Sequence, residues 1–508
     1  MDKIYFAGIA EIAESVRLKK ISPVEIVEAH LERIEKLQAQ LNAFVHVDAE
    51  GARRQARVAE AAVMRGEPLG PLHGVPVSIK SCIDVAGWRC PAGSRMRADY
   101  VASSDAVLVS RLRAAGAILI ANTNTPEFLM AYETDNSVSG KTSNPWSLAH
   151  SSGGSSGGEA AAIAAGCSMG GIGSDGGGSV RVPAHFCGIS ALKPTPGRIP
   201  STGHFPRGAG AFAWLGVVGP MARSVADVRA LFDVVKGPDA DDALSSPIYS
   251  RRISPGELAG LRVGILETDA LGIATAETIA AVRRAGELLA AQGFRVDSMR
   301  IKGLERAIEL WWFFFGPMIA HLFNGLVAGR EEELSPMFQE YLTVARDEER
   351  TKQVPHPRTA RVRNDIATQL PAKGSGRQNT EGAGEIPSSP ATLDEFMAAC
   401  VERDDVRAKI IHQMRDVPIL LSPVCLAPAF RHGEGNWQPG TGYRDTMRHS
   451  QWLNLAGFPG ATVPMGISTE GLPIGVQIIG RPNEDELVLA VGEALESARG
   501  GWEIPLGV

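Results

Sequence analysis

Gly153–Ala184, GGSSGGEAAAIAAGCSMGGIGSDGGGSVRVPA, is the stretch whose reading decides the fold. It holds two serines, Ser155 and Ser179, each set in a glycine cluster. Glycine permits positive φ angles and lets a ligand approach the main chain closely, at an entropic cost on folding. A hydroxyl among bare backbone amides has the parts that acyl transfer requires, a nucleophile and donors for a developing oxyanion. Gly176, Gly177 and Gly178 immediately precede Ser179, so their amides and that of Ser179 can point at such an oxygen. Between the clusters, Gly158–Ala165 reads as a helix whose positive end lies beside Ser155, with Glu159 a structural residue in its first turn.

Two short motifs compete for the same residues. Gly171-Ile172-Gly173-Ser174-Asp175-Gly176 matches the dinucleotide fingerprint, but Lys193-Pro194-Thr195-Pro196 stands where that motif needs an acidic residue. Gly153-Gly154-Ser155-Ser156-Gly157 matches the nucleophile elbow, which needs a buried strand directly before the serine. The preceding SNPWSLAHSS (143–152) reads as turn and loop. Both motifs lack their structural context.

A longer pattern uses every one of these positions. From Gly153 through Ser155-Ser156-Gly157, Ala164, Gly171, Gly173, Asp175, Gly177, Ser179-Val180-Arg181 and Pro183 to Ala184, the chain resembles the amidase signature family. The resemblance extends to His73–Lys80, Asn144-Pro145-Trp146, Leu192-Lys193-Pro194-Thr195, Gly457-Phe458-Pro459 and Gly471-Leu472-Pro473. It departs at Ala191, where a glycine is usual, and at Asn122, where a lysine is common. Alternating helices and short buried strands favour an α/β sheet covered by helices on both faces, and the resemblance makes it a large mixed β-sheet in a single domain, residues 1–508; the Trp311–Phe315 run and the proline-rich stretch after it read as a helical and loop cap inserted at 300–400. The resemblance maps a catalytic triad onto Ser179 as nucleophile, Ser155 as a bridging serine on a cis peptide after Gly154, and Lys80 as base. It also implies that the backbone near Leu129 touches the substrate amide and that Asp175 and Arg181 are scaffold, pairing with each other or with backbone. Metal and cofactor are not called for.

The chemistry of the residues agrees with this mapping. A serine hydroxyl needs an adjacent base, and Ser155 can relay because a hydroxyl has one proton and two lone pairs. An unperturbed lysine of pKa about 10.4 is neutral in only roughly one molecule in 2,500 at neutral pH. Lys80 must therefore be tuned, and it follows Val75–Ile79, read as a buried strand whose surroundings would disfavour the ammonium. None of the eleven histidines, His73 and His185 included, is required.

Composition bounds the rest. The chain has 508 residues, 44% of them hydrophobic and 21% charged, with a formal net charge of −6, an ordinary globular balance that does not suit a nucleic-acid partner. Six scattered cysteines form no C-x-x-C pair and read as reduced, mostly buried thiols. Glu11 and Glu14 interrupt what a signal peptide would need, which points to the cytoplasm. The apolar segment 307–327 is broken by Glu309, Pro317, His321 and Asn324, so it reads as a buried helix pair, or a substrate-facing or membrane-touching cap, and not as a transmembrane span. Residues 352–390, rich in proline and glycine, read as a loop.

Capping residues and apolar periodicity predict helices from Pro23 to about Leu41, Asp105–Ala115, from Ser224 to near Gly237, Ala274–Ala291, Arg444–Leu455 and Asp485–Ala498. Short apolar runs predict strands at Ala117–Ala121, Leu261–Leu266, Phe294–Ser298, Val417–Leu421, Gly460–Pro464 and Ile474–Ile479. The partner expected is a small-molecule amide, with a homodimer open. The run Trp311–Phe315 favours a hydrophobic or aryl amide. The alternatives are a glutaminase-type subunit of a tRNA-dependent amidotransferase and an amidase-fold carbamate or ester hydrolase.

Overall fold

The computed structural model describes residues 4–208, 210–266, 270–351, 391–501 and 505. The loop expected at 352–390 lies outside the described residues.

The strands are β1 Phe44–Val47, β2 Pro76–Lys80, β3 Ile118–Thr123, β4 Ser143–Asn144, β5 Ser147–Ser151, β6 Gly170–Asp175, β7 Ser190–Lys193, β8 Val217–Ala222, β9 Arg262–Leu266, β10 Arg295–Met299, β11 Ile419–Pro423, β12 Gly460–Ile467 and β13 Pro473–Gly480. Among the described residues, 11 of them form one sheet in the order β1-β3-β2-β6-β8-β7-β12-β13-β11-β9-β10, and β4 pairs with β5 apart from it. The sheet is mixed. Parallel pairs at β3-β2-β6 and β11-β9-β10 flank antiparallel pairs through β8, β7, β12 and β13.

Both faces of this sheet are covered, and the strand period of two shows how. Ile419 and Leu421 of β11 enter one apolar core while Leu420 between them enters another. Val16, Leu231, Leu289 and Val488 come to the first core from helices Ile9–Arg17, Val225–Val235, Ala276–Ala291 and Asp485–Arg499. Leu310, Ile410 and Trp452 come to the second from helices Leu304–Phe313, Leu393–Gln413 and Arg448–Ala456. This is the α/β architecture expected from the sequence.

The helix boundaries follow local chemistry. Ser22 caps Pro23–Leu41 by accepting from Val24 N, and Glu25 returns the contact to the Ser22 amide; Asn42, in the left-handed region, ends the helix. Two readings of the sequence are corrected. The 143–152 stretch is not all turn and loop: it contains β4 and β5. These lie off the main sheet, so Ser155 still lacks the buried strand of a nucleophile elbow. The segment 307–327 is not a helix pair either. Leu304–Phe313 and Ile319–Val327 continue through a π-helical turn, Phe314–Met318, holding Pro317, which cannot donate to the helical ladder. By length and composition this helix could cross a membrane, yet most of its apolar window is buried against the fold.

Candidate active site

β2 and β6 run parallel, pairing Val77 with Gly170 and Ile79 with Ile172, so their carboxyl ends lie side by side. Lys80 ends one strand, and Ser174 and Asp175 end the other. Gly171 makes this neighbourhood possible: a Cβ there would stand 1.9 Å from Glu159 Oε1 and 2.4 Å from Ser78 O. Glu159 is fully buried and ties the strands together, accepting from Ser78 Oγ of β2 and from Thr123 Oγ1 of β3 at 2.7 Å. Burial pushes its carboxyl up to about 7 against those hydrogen bonds, which suits a strut.

The two glycine clusters bring their serines to the same place. Ser155 follows a cis Gly154–Ser155 peptide and precedes helix Gly157–Ala164, while Ser179 precedes helix Arg181–Cys187. The Ser156 amide donates to Ser179 O at 3.1 Å, and Thr125 Oγ1 donates to Ser155 O at 2.8 Å. Gly154 lies against the backbone of Ala131–Glu133, where a Cβ would come within 2.7 Å of Ala131 O.

Lys80 has no exposed surface, and its Nζ lies 2.7 Å from Ser155 Oγ, 3.0 Å from Ser156 Oγ and 3.2 Å from Ser174 Oγ. Burial lowers its pKa to about 8, partly opposed by the charges of Cys82, Asp175 and Glu159. The amine is thus neutral far more often near neutral pH than that of a surface lysine. Ser179 is 8% exposed and shares a cavity of about 260 Å³ with Ser155, Ser174 and Gly176.

The structure sorts the glycine run. Gly176 borders the cavity, and its carbonyl accepts from Trp311 Nε1 at 2.9 Å. The Gly177 carbonyl accepts from Tyr132 Oη at 2.7 Å, and a Cβ on Gly177 would meet the Trp311 ring at 2.5 Å. Gly178 departs from the expectation that its amide serves an oxyanion: at φ +131° it donates to Asp175 Oδ1 at 2.7 Å. A carboxylate has already taken that donor. Leu129 also borders the cavity and holds φ +69°, after Phe128 at +48°, a left-handed pair uncommon for side chains of this size.

Asp175 and Arg181 pair with each other, Nε to Oδ2 and Nη2 to Oδ1, both at 3.0 Å. Burial would raise the aspartate, but Arg181 and the Val180 amide hold it well below the usual carboxylate range. His73 and His185 stand outside the chemistry: His185 accepts from the Gly475 amide and faces Ala427 O, and His73 faces Ala59 O. Ser156 and Ser174, which also touch the Lys80 amine, escape a reading of the sequence, where a hydroxyl carries no mark of its direction.

A sequence profile of the amidase family matches residues 25–489. The chain belongs to the amidase family. It is therefore a hydrolase acting on amide C–N bonds. Among the amidase relatives, the A-subunit of glutamyl-tRNA(Gln) amidotransferase from Roseiflexus castenholzii is 34% identical over 505 residues, covering 98% of this chain and 96% of the relative. Its namesake from a Synechococcus species is 35% identical over 487 residues, 94% of each. Among solved structures, 6-aminohexanoate cyclic dimer hydrolase with bound substrate superposes with a TM-score of 0.79 at 28% identity, covering 99% of both chains. A structure from a vestigial protein complex bearing on the origins of an s-triazine catabolic enzyme reaches 0.81 at 28%, covering 98% of this chain and 100% of that one.

Proposed function

We propose that this amidase hydrolyses a carboxamide bearing a hydrophobic acyl or aryl group through a covalent Ser179 acyl-enzyme. The observation that carries the substrate class is the cavity wall, where Leu129, Phe212, Leu215, Phe315, Ile319 and Phe323 surround the serines. Its titratable members are Asp175, already paired with Arg181, the exposed Arg207, and His204, whose two ring nitrogens face Cys82 Sγ and Pro206 O. Such a wall suits an apolar group and offers little to a zwitterion.

In this reading neutral Lys80 takes a proton through Ser155 as Ser179 Oγ attacks the carbonyl carbon. The amides of Gly176, Gly177 and Ser179 stabilise the oxyanion, each such donor typically contributing about 3 kcal/mol. The proton returns through Ser155 to the leaving amine, and a water activated by the same base then hydrolyses the ester. The backbone at Leu129 holds the substrate amide.

A second reading, a glutaminase-type subunit of a tRNA-dependent amidotransferase, is favoured by the names of the curated relatives. One panel separates the two: acyl anilides of increasing chain length, acetamide and glutamine, with the chain alone and with whatever copurifies. The apolar reading expects rates that rise with acyl length and negligible glutaminase activity. Glutamine hydrolysis dependent on a copurified subunit would establish the other. In either case Ser179→Ala abolishes turnover and fluorophosphonate labelling, and a folded Ser179→Ala protein with most of its activity would refute the mechanism.

A further inference from the structure

Cys82 lies two residues beyond Lys80, fully buried, and is tied to a distant segment by main-chain bonds. Phe205 N donates to Cys82 O at 2.8 Å, Asp84 N donates to Gly203 O at 2.8 Å, and Ile83 bridges His204. These bonds place Cys82 Sγ 3.5 Å from His204 Nε2 and 3.8 Å from Ser174 Oγ. Ser174 Oγ in turn touches the Lys80 amine. We propose that Cys82 and His204 are positioning residues which turn the Ser174 hydroxyl away from Lys80, so that the amine's lone pair is left facing Ser155. This inference rests on Lys80 being the base.

The directions follow from the donors and acceptors available. His204 Nδ1 faces Pro206 O at 2.9 Å, a carbonyl that can only accept, so Nδ1 carries a proton. In a neutral imidazole Nε2 is then the acceptor and Cys82 S–H donates to it, leaving sulfur lone pairs toward Ser174. Were the proton shared as thiolate and imidazolium, the sulfur would still only accept. In both states the Ser174 proton goes to sulfur, and Ser174 Oγ accepts from Lys80.

Ser156 is committed in the same sense, since its Oγ donates to Ser174 O at 3.3 Å and so accepts from Lys80 at 3.0 Å. A neutral amine has two N–H groups and one lone pair. Ser156 and Ser174 use both N–H groups. What remains at 2.7 Å from Ser155 Oγ is the lone pair, the polarity a proton relay needs. Without an acceptor at position 82, the Ser174 hydroxyl competes with Ser155 for that lone pair.

The test is the second-order rate at which an alkyl fluorophosphonate labels Ser179: the Ser179 O–P bond forms, P–F breaks, and the serine proton passes to the base. Cys82→Val should slow labelling about tenfold, the scale of one net hydrogen bond. Cys82→Ser, which restores an acceptor, should recover most of the rate. In a Ser174→Ala background, with no hydroxyl left to misdirect, Cys82→Val should change nothing further. Wild-type labelling in Cys82→Val, an equal loss in Cys82→Ser, or losses that multiply in the double variant would each overturn the proposal. Should Cys82→Val not be recovered folded, His204→Leu examines the same chain from its other end, because Cys82 S–H then loses its Nε2 acceptor and turns to Ser174 Oγ. The same tenfold slowing is expected there, and wild-type labelling would count against the idea. Lys80→Met labelling at the wild-type rate would remove the base assignment itself, a distinguishable failure.

Discussion

Lys80 illustrates how a residue's surroundings convert an ordinary side chain into a reagent, because the same amine on the surface would be protonated at neutral pH. Buried at the end of β2, it titrates near 8. The sign of the pH dependence follows: the base acts when neutral, so kcat/KM for an anilide should rise about tenfold per pH unit below that value and level off above it. A profile measured from pH 5 to 10 checks this, and a maximum near pH 5 would contradict it. Lys80→Met should lower kcat/KM by about 10³-fold, within the range general-base catalysis contributes. At this scale Ser155 and Ser179 stood out by their glycine clusters, while Lys80 was reached only through the family resemblance, since a lone lysine at a strand end carries no mark of its burial. Ser156, Ser174, Cys82 and His204 were not, since the direction of a hydrogen bond is set by partners scattered over more than a hundred positions.

Among the elements, the helix through Leu304–Val327 does two jobs that its composition could not separate. Trp311 stacks on Phe315 at 4.5 Å and donates to the Gly176 carbonyl, supporting the wall, while Phe315, Ile319 and Leu322 border the cavity. The π-helical turn at Phe314–Met318 joins the two parts, and its Phe315 belongs to both, stacked on Trp311 and bordering the cavity. Leu322 is 62% exposed although it lines the cavity, which places the mouth along this helix. Ile319→Trp should therefore reduce kcat/KM for long-chain anilides at least about tenfold and leave acetanilide nearly unchanged, the scale on which apolar pockets discriminate by size. A uniform loss across chain lengths would show that the helix supports the site without selecting substrate. The apolar run was plain in the sequence; which of its residues face the cavity depended on the phase of the helix against the sheet.

The whole molecule is tied through Arg181. Besides Asp175, its guanidinium donates to Gln477 Oε1 at 3.1 Å, Ser450 O at 3.0 Å and Asn454 Oδ1 at 2.6 Å, joining the end of β6 and the helix after Ser179 to β13 and to helix Arg448–Ala456. Every partner is buried. Arg181→Met would leave Asp175 as an unpaired buried charge and should destabilise the fold by about 3–5 kcal/mol in denaturant unfolding. Asp175 is held below its ordinary range, so the stability it contributes is present above about pH 4 and lost as pH falls further. Wild-type stability in Arg181→Met would show that the cluster sets geometry alone.

The sequence by itself determined the family and the α/β class, because glycine clusters, caps and apolar runs constrain the backbone wherever the chain goes. Strand β6 was not visible in it: Gly170–Asp175 has the composition of a loop and becomes a strand only because β2 and β8 hydrogen-bond to it on either side. Tertiary structure alone likewise assigned the Gly178 amide to Asp175, turned Trp311 toward the Gly176 carbonyl and set Cys82 beside His204. The physical reason is common to all three: a local motif specifies the backbone it needs, but the partner of a buried polar group is whichever donor or acceptor the fold delivers there.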